Sequence, residues 1–248
     1  MNFAVIIPAR FQSTRFPGKP LAILGDKPII QWVYENASKA IPHVYVATDD
    51  ERIFATVEAF GGKAVYTSPN HQSGTDRCAE AARKVAETLQ IDVVINVQGD
   101  EPFIRPEQID ALKACFNTPE TEIATLIKPI TNAAEITNIN RPKVVINKNQ
   151  EALYFSRSPI PFVRDAKPEE WISQNTFYSH IGMYAYRFDV LQKLTQLPVG
   201  LLEKAESLEQ LRWLENRFKI KTAQTTFENI GIDTPADLEN AKKFLGID

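Results

Sequence analysis

Short apolar runs alternate with helical periodicity through the first half of this chain, and that alternation restricts its fold more than any other feature. Residues 3–7, 44–47, 64–66 and 93–97 are short, apolar and rich in β-formers. Between them, Pro28 opens a helix with Ile29, Ile30, Val33, Tyr34 and Ala37 on one face. Thr48-Asp49-Asp50 is a helix-start signal before Ile53, Phe54, Val57 and Phe60, and Gly61-Gly62 is a stop. Ser73 to Thr75 can cap a helix with Cys78, Ala81, Ala82 and Val85 inward, and Pro106 opens another through Phe116. Strands that are apolar on both faces need helices on both sides. The expected fold is therefore α/β, three layers around a mostly parallel sheet.

After about residue 120 the rhythm changes. Residues 124–127, 144–146, 153–155 and 181–186 read as strands with little helix among them. Residues 156–172 are proline-rich and read as an irregular excursion. A helix near 188–196 is followed by a longer one through Leu208, Leu211, Leu214 and Phe218, then a last strand over 219–225. Thr234-Pro235-Ala236-Asp237 places an N-cap Thr, a Pro and an acidic residue at the start of a C-terminal helix. No linker or repeat interrupts the pattern, so the 248 residues read as one domain with a projecting segment at about 130–200.

The net charge of −3 gives no global electrostatic case for nucleic acid or an acidic membrane. No apolar stretch approaches the ~20 residues that span a bilayer, and the N-terminus carries no leader-like pattern. Cys78 and Cys115 read as reduced core residues, and the three histidines lack zinc-like spacing. The expectation is a cytoplasmic protein.

Against that neutral background, residues 8–20, PARFQSTRFPGKP, form a local concentration of positive charge directly behind the first strand. Arg10, Arg15 and Lys19 supply cations, Ser13, Thr14 and Gly18 keep the loop small, and three prolines stiffen it. A polyphosphate asks for such a loop, although Pro20 after Gly18-Lys19 excludes a P-loop. The alternative is a plain basic surface loop. Gln98-Gly99-Asp100-Glu101 follows the strand at 93–97. Asp100 there suits a Mg²⁺ held mainly by phosphates and water, Gly99 allows close approach, and Gln98 could read a base edge. A simple strand-to-turn junction explains it equally well. Asp233 offers a second carboxylate, or else merely helps start the last helix. The loop at 71–77, HQSGTDR, suits hydroxyls and anions, or is an ordinary capped helix. Arg157 and His180 flank apolar strands and could clamp a carboxylate, while Glu209-Gln210 by itself is a solvated helix face.

Taken together these strings resemble the 3-deoxy-manno-octulosonate (KDO) cytidylyltransferases. The resemblance covers VIIPARFQSTRFPGKPL at the start, VATDDERI at 46–53, HQSGTDR at 71–77 and VINVQGDEPFI at 94–104. It continues in ALYFSRSPIPF at 152–162, HIGMYAY at 180–186, ESLEQLR at 206–212 and GIDTPADLE at 231–239. It implies a Rossmann-like nucleotidyltransferase fold with a mostly parallel mixed sheet. It also implies transfer of CMP from CTP to KDO with release of pyrophosphate, in the service of lipopolysaccharide biosynthesis. A related acidic sugar, 8-amino-KDO or sialic acid, is the alternative acceptor. The resemblance further implies a Mg²⁺ cofactor on Asp100 and Asp233, and catalytic roles for Lys19 and Arg10. It implies CTP contacts from Pro8, Ala9, Arg10, Ser13, Arg15, Lys19, Thr48, Asp49, Ser73, Gly74, Arg77 and Gln98, and a KDO pocket of Arg157, His180, Tyr184, Glu209 and Gln210. A homodimer is expected, with the 130–200 region as its contact segment.

Overall fold

A computed structural model describes residues 1–247. Its contacts divide the chain into two compact units, Met1–Asp110 together with the segment from Asn229 onward, and Ala111–Glu228.

The first unit opens with β1 (Phe3–Pro8), a small hairpin of β2 (Ile23–Leu24) and β3 (Lys27–Pro28), and α1 (Ile29–Ser38). It continues through β4 (Val44–Thr48), α2 (Glu51–Ala59), β5 (Ala64–Tyr66), α3 (Gly74–Ala86), β6 (Val93–Asn96) and the start of α4 (Pro106–Cys115). Its strands lie in the order β6-β1-β4-β5, all parallel. Ala4 to Ile7 of β1 are fully buried, as are Ile29, Ile30, Val33 and Ala37 of α1. A parallel strand covered on both faces has no solvent side, which is why its sequence runs apolar rather than alternating. The carboxyl ends of β1, β4 and β6 share one edge, and the loops after them emerge there together. Helix starts follow the sequence signals closely. Asp50 caps α2, and a reciprocal Ser73–Asp76 capping box starts α3.

The second unit contains β7 (Ile123–Pro129), α5 (Ala133–Ile136), β8 (Lys143–Ile146), β9 (Ala152–Ser156), α6 (Trp171–Gln174) and β10 (Tyr178–Arg187). After these come α7 (Phe188–Leu194), α8 (Leu201–Glu206), α9 (Gln210–Glu215) and β11 (Ile220–Gln224). β7 pairs parallel with β11 and antiparallel with β10, while β8 runs antiparallel to both β10 and β9. The fold is thus α/β with mixed, largely parallel strands, as expected. The proline-rich excursion is anchored by Trp171, whose ring stacks on Phe177 at 5.9 Å beside buried Ile130 and Ile136.

One element departs from the sequence reading. The expected long helix through Leu208 and Phe218 is two short ones, α8 and α9, broken at Ser207. Ser207 sits in the left-handed region at φ 51°, where an α-helix cannot continue. Leu208 and Leu211 still point inward, so the apolar spacing survived the break that periodicity could not see. The β2–β3 hairpin, turning at Gly25 (φ 68°), was too short to register as a pattern. The last helix, α10 (Pro235–Leu245), belongs to the first unit and carries the Thr234–Asp237 capping box foreseen for it. Cys78 and Cys115 are buried free thiols. Among the described residues no helix is long and apolar enough to cross a membrane.

Candidate active site

The loop after β1 is folded tightly on itself. Gly18 takes φ 72° and donates its N–H to Phe11 O at 2.8 Å. A Cβ on Gly18 would meet the Phe11 ring at 3.0 Å, so glycine is required for both torsion and space. The Arg52 guanidinium lies 3.3 Å over the Phe11 ring, and Asp50 holds Arg52 from below with bonds of 3.0 and 2.6 Å. The cationic loop is thereby stapled to the start of α2, and Lys19 emerges from it with its side chain only 14% exposed.

Lys19 Nζ donates to Asp100 Oδ2 at 2.5 Å and to Asp233 Oδ1 at 3.1 Å. Arg15 Nη2 adds a contact to Asp233 at 3.2 Å. The helix-start alternative for Asp233 does not hold for its side chain. Thr234 and Asp237 cap α10, and the Asp233 carboxylate turns the other way, to Lys19 and Arg15. Gly99 is demanded by packing, because a Cβ there would stand 2.7 Å from Pro8 O on the neighbouring strand end.

These groups line a cavity of about 260 Å³. Pro8, Ala9, Arg10, Ser13, Arg15, Lys19, Ser73, Gly74, Arg77, Gln98, Asp100 and Asp233 all face it, as the sequence reading grouped them. Thr48 and Asp49 do not line it. Thr48 is fully buried, and Asp49 pairs with Arg77 at 3.0 Å, so it acts behind a lining residue. His71 and Gln72, in the 71–77 loop read as suited to anions but given no CTP contact, also line the cavity. The His71 ring contacts Glu80, whose carboxyl is carried down to about 2; burial opposes that shift, and Lys84, the Ser68 N–H and His71 outweigh it. Four fixed cations, Arg10, Arg15, Lys19 and Arg77, face two carboxylates, so the cavity keeps a positive surplus suited to a polyanion.

The two carboxylates converging on one ammonium make this a cation-shaped spot with hard oxygen donors, which fits Mg²⁺. Among the described residues no cluster of three or more His, Cys, Asp and Glu converges, so phosphates and water would complete the shell. Glu101, beside Asp100, was missed by the sequence reading. Burial raises its carboxyl to about 8, and the Asp100 and Asp233 charges push the same way against a hydrogen bond from Asn229.

In the second unit, His180 Nε2 lies 3.0 Å from Thr125 Oγ1, its ring edge-on to Phe155 and tilted against Tyr184. Burial pushes His180 down to about 3, so the ring is neutral at pH 7 and offers one donor and one acceptor. Tyr184 is buried edge-on to Trp213, and burial with the Glu209 charge holds its phenol protonated. Gln210 begins α9 with its Nε2 buried and unpartnered, so it is no solvated face. Arg157 is spent largely on the chain itself. It donates to Glu206 O at 2.7 Å, Ile139 O at 2.9 Å and Ser207 O at 3.3 Å, which leaves at most two of its five N–H groups for a ligand.

A parallel α/β unit with a stapled cationic loop and paired carboxylates can hold a polyphosphate and a divalent cation together. The cytidylyltransferase family signature matches residues 4–222. The 3-deoxy-manno-octulosonate cytidylyltransferase of Bacteroides thetaiotaomicron is 59% identical, over 99% of this chain and 98% of the relative. A solved CMP:2-keto-3-deoxy-manno-octonic acid synthetase complexed with CTP is 44% identical, with a TM-score of 0.90 over 99% of each chain. The 8-amino-3,8-dideoxy-manno-octulosonate cytidylyltransferase of Shewanella baltica is 47% identical over the full length of both. The chain belongs to the 3-deoxy-manno-octulosonate cytidylyltransferase family.

Proposed function

We propose that the protein transfers CMP from CTP to 3-deoxy-manno-octulosonate, giving CMP-KDO and pyrophosphate. The observation that carries this reading is 59% end-to-end identity to a relative bearing that activity's name, against 47% to the relative named for the 8-amino sugar. The anomeric hydroxyl of the sugar attacks the α-phosphorus, the bond from phosphorus to the bridging oxygen breaks to free pyrophosphate, and the hydroxyl proton passes to water. Such in-line displacement depends on positioning and charge neutralisation more than on covalent help from the protein. Arg10, Arg15 and Lys19 offset the triphosphate charge and that of the leaving pyrophosphate. Ser13, Ser73 and Gly74 line the same cavity with hydroxyl and main-chain groups, and Gln98 is assigned to the cytosine. Asp100 and Asp233 would hold Mg²⁺, and when bound the ion would supply Lewis-acid stabilisation of the phosphoryl oxygens.

The acceptor is assigned to Arg157, His180, Tyr184, Glu209 and Gln210 of the second unit. The unpartnered Gln210 amide and the neutral His180 ring support that assignment, since the amide keeps a donor and the ring keeps one nitrogen beyond its Thr125 contact for a polyhydroxy acid. Exposed Phe162 and Leu201, at 72% and 80%, support a homodimer, to be checked by light scattering. A cytoplasmic location follows from the use of CTP. The deciding assay incubates purified protein with CTP, Mg²⁺ and KDO, 8-amino-KDO or sialic acid, and reads pyrophosphate release. Turnover confined to another sugar would overturn the acceptor assignment.

A further inference from the structure

We propose that Asn229 is a positioning residue that holds Asp233 in register with Asp100, an inference that rests on the metal role given above to those two carboxylates. Asp233 reaches the cavity from the irregular segment between β11 and α10, where neither strand nor helix sets its place. The N-cap of α10 secures one side, since Asp237 Oδ2 accepts from Asp233 N at 3.1 Å and from Thr234 N at 2.8 Å. The other side is secured by Asn229. Its Nδ2 donates to Glu101 Oε2, the residue next to Asp100, and its Oδ1 accepts from Gln108 Nε2 at 2.7 Å. Gln108 is 1% exposed, and its own Oε1 accepts from Arg105 N at 3.0 Å. A main-chain bond from Ile232 N to Asp100 O at 2.9 Å closes the brace.

The segment bearing Asp233 is therefore tied to the turn bearing Asp100 at Glu101 and Asp100 itself, and to α4 at Gln108. Neither Asn229 nor Gln108 lines the cavity, so both act through the carboxylates and not on a ligand. The side-chain amide satisfies both neighbours, because it offers a donor to the carboxyl and an acceptor to the glutamine. Aspartate would lose the donor that Nδ2 gives Glu101. Leucine would fill the space with neither function. A cation shared by two carboxylates is sensitive to their separation, and partners behind the ligands usually tune affinity.

The test is water-proton relaxation with Mn²⁺ titrated into protein saturated with CTP, without acceptor sugar, so that no turnover occurs. Asn229→Leu and Asn229→Asp should each raise the Mn²⁺ concentration at half-saturation about tenfold or more, with a matching fall in kcat. Gln108→Glu, which keeps size but cannot donate to Asn229, should shift it in the same direction by less and guards against a folding failure. The KM for the acceptor should stay within about twofold. Asp100→Asn runs beside them. If it loses Mn²⁺ while the Asn229 and Gln108 variants titrate like wild type with only lower Tm, the brace is structural and the proposal falls alone. If Asp100→Asn itself titrates like wild type, the metal reading falls and takes the proposal with it.

Discussion

Asp100 and Asp233, remote in sequence, share one ammonium, with Lys19 Nζ at 2.5 Å from the first and 3.1 Å from the second. Two carboxylates this close repel unless a cation lies between them, and here that cation is the Lys19 ammonium. Asp100→Asn should lower kcat by about 10²-fold or more with little change in Tm, since the amide cannot supply counter-charge. Steady-state kinetics at saturating Mg²⁺ decide it, and near-normal turnover would remove Asp100 from the chemistry. Asp233→Asn should behave alike, because α10 is capped by Thr234 and Asp237 without it.

Lys19→Ala removes the cation and leaves the two carboxylates facing each other. The expected outcome is a rise in KM for CTP together with a fall in kcat, a combined loss of a few kcal/mol, about 10²-fold or more in kcat/KM. Lys19 lies in a loop and leaves no core cavity, so thermal unfolding should move little. Wild-type kinetics would reduce the loop to scaffold.

Gly99→Ala tests the close approach of the β1 and β6 ends. The added methyl would stand 2.7 Å from Pro8 O and 3.5 Å from Ile7 Cγ2. A main-chain carbonyl cannot swing aside, so one strand end must shift, at about 1–3 kcal/mol. Urea unfolding should show that loss, and CTP titration calorimetry should show weakened binding, because Pro8 and Asp100 both move.

Arg157→Ala should act twice. Three guanidinium bonds to carbonyls hold the Ile139 and Glu206–Ser207 turns, so their loss should cost about 2–4 kcal/mol of stability. The KM for the acid sugar should also rise while CTP affinity, read by calorimetry, stays near normal. Arg157→Lys should rescue only partly, since one ammonium cannot reach three carbonyls fixed for a planar fork. Collapse of CTP affinity with unchanged sugar dependence would move Arg157 to the nucleotide side.

The pH dependence of folding should carry the signature of His180. Its folded pKa of about 3 lies below the ordinary 6.5, so the unfolded chain binds the extra proton between those values. Stability from this ring is complete above pH 6.5 and is lost as pH falls towards 3, by at most about 2 kcal/mol at pH 5. Denaturant unfolding of wild type and His180→Gln at several pH values should show a shallower slope for the variant. Parallel slopes would mean the ring is not desolvated.

The strand–helix rhythm of the first unit was legible in the sequence because each element there carries its own local cause. An apolar run made β1, Asp50 and Ser73 made helix starts, and Thr234-Pro235 began α10. Arg10, Ser13, Arg15 and Lys19 were legible for the same reason, as charge concentrated in one short loop. What tertiary structure alone decided is where those groups meet. Nothing local in 229–233 says that Asp233 turns away from its own helix to Lys19, or that Asn229 joins Glu101 to Gln108. The break at Ser207 was equally hidden, since leucine spacing reports which faces are buried and not whether the backbone between them stays helical. Likewise, whether Arg157 grips ligand or chain depends on carbonyls at 139, 206 and 207, which are brought to it only by folding. Sequence encodes what each residue can offer, and the partners it offers it to are set by long-range packing.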